Sequence, residues 1–209
     1  MKKKILLVGL LVVLVAAVSV GLTVAFLTSQ DQVTNTFTVG DVEIALDEAA
    51  VNENGEAIPG ADRVKANTYK LIPGHTYVKD PTVTVKAGSA ESYVRMLVTV
   101  TKSSAFDAVL PNQDLTKIFV DYDGAKWKYI KNTENAADNT RTYEFRYYQT
   151  VTASVDTALE PLFKKITVPG NVNNDQLKTL QGAQIIVEAE AIQADSFVDA
   201  DAAWAAFTR

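Results

Sequence analysis

Few residues of this chain are suited to acid–base or metal chemistry. His75 is the only histidine and the chain has no cysteine, which excludes zinc sites built from two histidines or from thiolates. His75 follows Pro73-Gly74, so we expect a solvated side chain in a turn. A serine triad would require a serine and an acid to fold beside His75, and no Gly-x-Ser-x-Gly motif is present. The sequence therefore predicts no catalytic residue, no metal ligand and no cofactor.

Some acidic and aromatic residues are weaker candidates for a site. Glu188 and Glu190 alternate with apolar neighbours, which places both on the outward, solvated face of one strand; a glycosidase-like pair or a calcium site would need further ligands. Asp121, Asp123 and Gly124 are similar to part of a calcium loop but lack its later acidic ligands, and a hairpin turn accounts for them. Four aromatic residues could stack on sugars, although the core face of a strand explains all but the last. They are Tyr143, Phe145, Tyr147 and Tyr148.

The elements that would position these residues are mostly strands. Residues 93–101 alternate between apolar and mostly polar side chains, which is typical of a half-buried strand, and we predict it at the centre of a sheet. The same alternation predicts strands over residues 82–86, 141–149 and 185–191. Strands come first and last without regular strand–helix alternation, which favours an antiparallel sheet.

Turn residues separate the predicted strands. Residues 118–122 are predicted to form a hairpin with a strand that begins at Trp127, because Asp123-Gly124 lies between them. A polar loop is expected over residues 132–139, and a surface loop over residues 52–65.

The apolar residues near the start switch from one face of the predicted strand to the other at Gly40-Asp41. Phe37 and Val39 are at odd-numbered positions, whereas Val42, Ile44 and Leu46 are at even-numbered positions. This predicts a bulge or bend at that point.

Two short helices are expected near the carboxyl end. Asn173 or Asn174 could cap a helix over residues 175–180, and Asp199 could cap one over residues 200–207. We expect Trp204 and its apolar neighbours in the second helix to cover an open end of the sheet. The elements together predict an all-β fold, a single antiparallel β-sandwich with one or two short helices.

The first 25 residues predict an export signal. Three lysines at positions 2–4 precede an uncharged apolar run over residues 5–20. Thr23 and Ala25 are small residues spaced as a signal peptidase requires. The alternative is an uncleaved anchor, because the apolar run continued to Ala25 would reach roughly the 30 Å of a hydrocarbon core. In both cases the chain from Phe26 onward lies outside the cytoplasm.

Charge limits the partners of the exported part. Removal of the three lysines takes the net charge from −5 to about −8. An acidic domain has no electrostatic reason to bind nucleic acid or anionic lipid. We therefore expect no nucleic-acid partner, and membrane contact only through the signal segment.

Several sequence blocks carry a more specific signal in combination. They are residues 21–28, 33–42, 71–85, 88–89 and 185–207. The export signal is followed by Asn-Thr-Phe-Thr-Val-Gly over residues 35–40 and by Pro-Gly-x-x-x-x-Lys-Asp-Pro over residues 73–81. Together these blocks resemble the TasA and camelysin relatives, a family of exported proteins whose signal peptide is processed by a SipW-type signal peptidase.

The resemblance implies a secreted jelly-roll sandwich that assembles into extracellular fibres of a biofilm matrix or is displayed at the cell surface. In such fibres the mature amino-terminal segment completes the sheet of the next subunit, which gives a head-to-tail homopolymer with a possible accessory matrix protein. The chain would divide into a signal peptide (1–25), a donor segment (26–40) and a single sandwich domain (41–209). The apolar donor residues would be Phe26, Leu27, Val33 and Phe37. Phe37 fits an ordinary first strand of its own subunit equally well.

Two other functions stay open at this point. Camelysin relatives are described as surface metallo-endopeptidases, but this chain has one histidine and no His-Glu-x-x-His motif. A surface carbohydrate-binding sandwich is supported only by the aromatic residues around Tyr143.

We predict that the exported chain begins at Phe26, because Thr23 and Ala25 occupy the small positions ahead of it. Amino-terminal sequencing of the secreted protein tests this directly. Replacing Ala25 with a bulky charged residue should block release. A chain that still starts at Met1 in the membrane fraction would identify an uncleaved anchor.

Overall fold

The computed structural model describes residues 41–109 and 119–208, which are mostly β with antiparallel sheets. These ranges contain ten strands and three short helices. In chain order they are β1 (Ile44–Asp47), β2 (Thr76–Val78), β3 (Thr82–Val85), β4 (Ser92–Thr101), α1 (Ser103–Val109), β5 (Phe119–Val120), β6 (Trp127–Asn135), β7 (Thr140–Tyr147), β8 (Thr157–Ala158), β9 (Lys165–Thr167), α2 (Asn174–Thr179), β10 (Ile185–Gln193) and α3 (Ala200–Ala206).

The described strands form three sheets. Their orders are β10-β4-β7-β6, β1-β3-β8 and β2-β9-β5, and neighbouring strands are antiparallel. The central position predicted for residues 93–101 is confirmed, since β4 lies between β10 and β7. Its core-facing side chains are at most 3% exposed: Val94, Met96, Val98 and Val100.

One hydrophobic core joins the inner faces of the three sheets. Val83 comes from β3, Tyr77 from β2 and Phe145 from β7, and all three are fully buried. The Phe119 ring of β5 stacks on the Phe163 ring with centroids 4.6 Å apart. Burial of each such side chain contributes about 1.5–3 kcal/mol, which explains how a chain without cysteine holds three sheets together.

The predicted hairpin between β5 and β6 is wrong. β5 pairs with β9, whereas β6 pairs with β7 in a different sheet. Phe119 of β5 is fully buried. The Asp123 Oδ1 atom accepts hydrogen bonds from the backbone N–H groups of Ala125 and Lys126, so these residues form a turn that carries the chain from one sheet to the other.

The predicted polar loop over residues 132–139 is also wrong in its first half. β6 continues to Asn135, and Asn132 lies opposite Tyr143. Most β6 side chains are exposed, because β6 is an edge strand of the sheet formed by the described residues. Polar composition there reflects solvent contact rather than a loop.

Both expected helices are present, and α1 was not predicted. The predicted cap of α2 is Asn173, whose Oδ1 accepts from the Gln176 N–H at 2.9 Å while the Gln176 Oε1 accepts from the Asn173 N–H at 2.9 Å. This reciprocal pair is a capping box. Asp199 caps α3 through its Oδ1, which accepts from the Ala202 N–H at 2.8 Å.

The apolar face of α3 lies on the outer face of the β10-β4-β7-β6 sheet rather than over an open end. The Arg95 guanidinium is 4.2 Å from the Trp204 ring centroid and 5.2 Å from that of Phe207. The Arg95 Nε also donates to the Glu190 Oε2 at 2.6 Å. Glu190 is therefore a largely buried ion-pair partner, and its predicted solvated position is wrong.

The connection between β1 and β2 is long and mostly exposed, as the predicted surface loop requires. Glu48 and Val64 exchange backbone hydrogen bonds of 2.9 and 2.8 Å. Gly55 approaches Tyr77 so closely that a Cβ atom would lie 2.2 Å from the Tyr77 Cδ1, and its φ is +75°. The connection is thus held against the core at defined points. The bend predicted at Gly40-Asp41 is not tested, because Gly40 lies outside the described residues.

Within the described ranges, no helix is both long and apolar enough to cross a bilayer.

Arg141 ties α1 to the end of the β6–β7 ladder. Its guanidinium makes two 2.7 Å bonds to the Asp107 carboxylate and one 2.5 Å bond to Glu134, and the residue is 4% exposed. Hydrogen bonding to Arg141 lowers the pKa of both Asp107 and Glu134 below their ordinary values. Carboxylates with a lowered folded-state pKa stabilise the fold above their unfolded pKa, and that stabilisation is lost as the pH falls.

We predict that Arg141→Met lowers the free energy of unfolding by about 2 kcal/mol at neutral pH, because it removes charged hydrogen bonds at a buried position. The loss should shrink as the pH falls below about 4, the ordinary range of carboxyl groups, because the unfolded chain then binds protons that the paired carboxylates must release on folding. Urea titrations at pH 7 and pH 3 measure both effects. Lys86→Met, which removes an exposed pair with Asp156, is the control and should change little. An equal loss for Arg141→Met at both pH values would contradict the assignment.

Candidate functional site

The main candidate site is a groove between the outer edges of β1 and β10, called here the seam groove. Its volume is about 1220 Å³. Apolar side chains from β1, β9, β10, α1 and α2 line it, including Leu46, Phe106, Ile166, Leu177, Ile185 and Val187. The groove therefore offers an apolar floor between two strand edges.

The β1 edge of the groove has no strand partner within the described part of the chain. The Lys86 N–H donates to the Glu43 carbonyl at 2.9 Å, so Glu43 bonds towards β3. In an antiparallel pair, the next residues alternate between bonding the neighbour and pointing away. Ile44 and Leu46 therefore direct their N–H and C=O groups into the groove, where the Leu46 carbonyl accepts from the Lys65 ammonium at 2.5 Å.

The β10 edge faces the groove in the same way. The Thr101 N–H donates to the Gln184 carbonyl at 3.0 Å, so the even-numbered residues of β10 bond towards β4. The odd-numbered residues point their backbone groups away from β4 towards the seam. They are Ile185, Val187, Ala189 and Ala191.

The core is incomplete along this seam. The side chains of these β1 and β10 residues pack against the core cluster and yet stay half-buried. Val83 and Val85 of β3, which lie opposite Leu46 and Ile44 of β1, are fully buried. Since apolar side chains on an inner face are stabilised by removal from water, a further apolar strand in the seam would complete their burial.

A polar corner closes one end of the groove. Lys79 and Glu48 form an ion pair of 2.6 Å in which both side chains are 8% exposed. The Tyr69 hydroxyl donates to the Val78 carbonyl at 3.0 Å. Burial, together with the negative charge of Glu48, raises the pKa of the Tyr69 phenol above its ordinary value. Tyr69 therefore stays a neutral hydrogen-bond donor at this corner.

The residues predicted for signal cleavage and strand donation lie outside the described residues and stay predictions. They are Thr23, Ala25, Phe26, Leu27, Val33 and Phe37. Among the other candidates, His75 is more constrained than a solvated turn residue, because its Nε2 lies 2.7 Å from the Asn54 carbonyl and its ring packs 4.7 Å from that of Tyr77. In residues 41–109 and 119–208, no group of three or more potential ligands is placed to hold a metal ion.

The aromatic candidates do not form one sugar-binding platform. Tyr143 and Phe145 are buried in the core, as the strand alternation predicted. Tyr148 is 49% exposed, and the Lys126 ammonium lies 4.6 Å from its ring centroid.

The sequence did not indicate the seam groove. Alternation identified the inward-facing residues of β10, but it carries no signal for which of its edges lacks a partner. Glu48 and Asn67 had no local signal at all, whereas Lys79 lies in the Pro-Gly-x-x-x-x-Lys-Asp-Pro motif.

No protein-family model, curated protein or solved structure matches this chain. The function is therefore inferred from the geometry of the groove and from the sequence.

We predict that proline is tolerated at position 187 and not at position 186. The Val187 N–H points into the seam, so proline there removes no bond to β4, whereas Ile186→Pro removes one and should cost about 3 kcal/mol or more. Urea denaturation of the two variants measures the difference. Equal losses would show that Val187 is not on an open edge.

Proposed function

We propose that this protein is an exported structural subunit of extracellular fibres, in a biofilm matrix or at the cell surface. Residues 26–40 of one subunit would dock as a strand in the seam groove of the next. The observation that carries the proposal is that, among the described strands, β1 and β10 each pair along one edge only and carry half-buried inner side chains.

Addition of a strand supplies both kinds of interaction that the seam lacks. Its N–H and C=O groups can bond to the β10 edge, which gives main-chain affinity. We propose a jelly-roll sandwich as the finer fold, in which the added strand extends the β10-β4-β7-β6 sheet.

The proposed donor segment has suitable apolar residues. Val33 and Phe37 are four residues apart and so share one face of an extended strand. Phe26 and Leu27 add apolar surface at the freed end. Burial of each side chain contributes about 1.5–3 kcal/mol before the ordering cost is subtracted, so the segment can shift assembly by orders of magnitude.

The contact is head-to-tail and therefore grows a filament. Donor segment and groove are different surfaces, which makes a heterologous interface that need not close. Cleavage by a SipW-type signal peptidase would release Phe26 only after export, which keeps the precursor from polymerising in the cell. An accessory matrix protein with a similar segment could enter the same groove.

No described feature favours the two alternative functions over fibre assembly. A camelysin-like metallo-endopeptidase needs a ligand cluster, and the described residues hold none. Among the four aromatic candidates for a carbohydrate-binding surface, only Tyr148 is exposed.

We predict that deleting residues 26–32 yields a folded, soluble monomer, because it removes Phe26 and Leu27 and shortens the donor strand. Val187→Pro should have the same effect by blocking the acceptor edge. Light scattering and electron microscopy of the secreted proteins measure assembly, and Gln32→Ala is a control that should still form filaments.

Mixing the two defective proteins separates donor from acceptor. The truncated protein retains a groove and the Val187→Pro variant retains a donor segment, so together they should form dimers and no long filaments. Filaments of normal appearance from the truncated protein alone would show that assembly uses another surface.

A further inference from the structure

Two side chains at the polar corner, those of Lys79 and Asn67, bond to the carboxylate of Glu48. The Lys79 Nζ donates to the Glu48 Oε2 at 2.6 Å, and the Asn67 Nδ2 donates to the Glu48 Oε1 at 3.0 Å. Lys79 is 7% exposed and Glu48 is 6% exposed. One buried acid thus bridges a primary amine and a carboxamide, which are the two groups that react to form an amide.

The backbone holds all three residues in place. Glu48 follows β1 and pairs with Val64, and the Lys79 N–H donates to the Lys164 carbonyl at 3.0 Å. The Asn67 carboxamide is oriented at both ends, since its Oδ1 accepts from the Val51 N–H at 3.1 Å and its Nδ2 donates to the Ala49 carbonyl at 2.8 Å. The Asn67 carboxamide is therefore held in one orientation beside the Lys79 amine.

We infer that Lys79 and Asn67 form an intramolecular isopeptide bond with Glu48 as the proton-transfer residue. Glu48 accepts a proton from the Lys79 ammonium, which leaves a neutral amine able to attack.

The bond changes balance without a further reactant. The Lys79 Nζ attacks the Asn67 Cγ, and the Val51 N–H stabilises the negative charge that develops on Oδ1. Glu48 passes the two protons lost from Nζ to Nδ2, the Cγ–Nδ2 bond breaks, and the amide nitrogen leaves as ammonium. The product is one Nζ–Cγ amide bond, with Glu48 returned to its carboxylate form.

The surroundings favour this reaction. The Tyr69 ring centroid lies 6.0 Å from the Lys79 Nζ, and the neighbouring Tyr77 side chain is fully buried, which limits competition by water. The groove next to the corner gives ammonium a route out. The cross-link would close residues 67–79 into a covalent loop in a chain that has no cysteine, and so restrict the unfolded chain. It stands independently of the proposed fibre function.

Peptide mass mapping of the purified full chain tests the inference. An acylated Lys79 resists trypsin, so residues 66–70 and 71–86 should appear as one branched peptide that is lighter than their sum by one ammonia. Lys79→Arg and Asn67→Ala should abolish this peptide, and Glu48→Gln should reduce it at least about tenfold. Asn67→Asp should lose water instead of ammonia. Lys86→Arg is a matched control that should leave the cross-link intact.

The wild-type protein alone can refute the inference, whether or not a variant folds. Separate peptides for residues 66–70, 71–79 and 80–86, all of full mass, would show that the corner is an ion pair without a covalent bond. A branched peptide that forms equally well in Glu48→Gln would overturn the role of Glu48.

Discussion

The rest of this structure depends on how the backbone N–H and C=O groups at the edges of β1 and β10 find hydrogen-bond partners. Buried N–H and C=O groups require partners, and in the described residues β1 and β10 each have a ladder on one side only. The same residues leave their inner side chains half-buried. A strand added at the β10 edge would supply bonding partners and further burial, which is the basis of the proposed docking of residues 26–40.

The other edge of the four-stranded sheet is protected by different means. β6 places Lys128, Lys131 and Glu134 along its length, and charged side chains on an edge discourage pairing with another chain. The first residues of β10, Ile185 to Val187, are uncharged. The outer face of the sheet is partly covered by α3, which stacks on Arg95. Docking would thus be directed to the seam rather than to the β6 edge or the outer face of the sheet.

Local patterns predicted much of the fold because their causes are local. Alternation placed β4, β7 and β10, and side-chain caps placed α2 and α3 at Asn173 and Asp199. The errors arose where distant residues decide. Nothing near Asp123 indicates that β5 and β6 belong to different sheets, and the polar β6 is a strand only because β7 pairs with it. The Lys79–Glu48–Asn67 corner likewise exists only after folding, since its members come from separate segments.

Hydrogen–deuterium exchange resolved to single amides tests the central claim most directly. In the truncated monomer the Val187, Ala189 and Ala191 amides should exchange quickly, since they point into the seam. In assembled fibres they should be strongly protected, while amides on the outer edge of β6 exchange as before. Equal exchange of the three β10 amides in monomer and fibre would contradict the account, because a strand docked in the seam must bond to them.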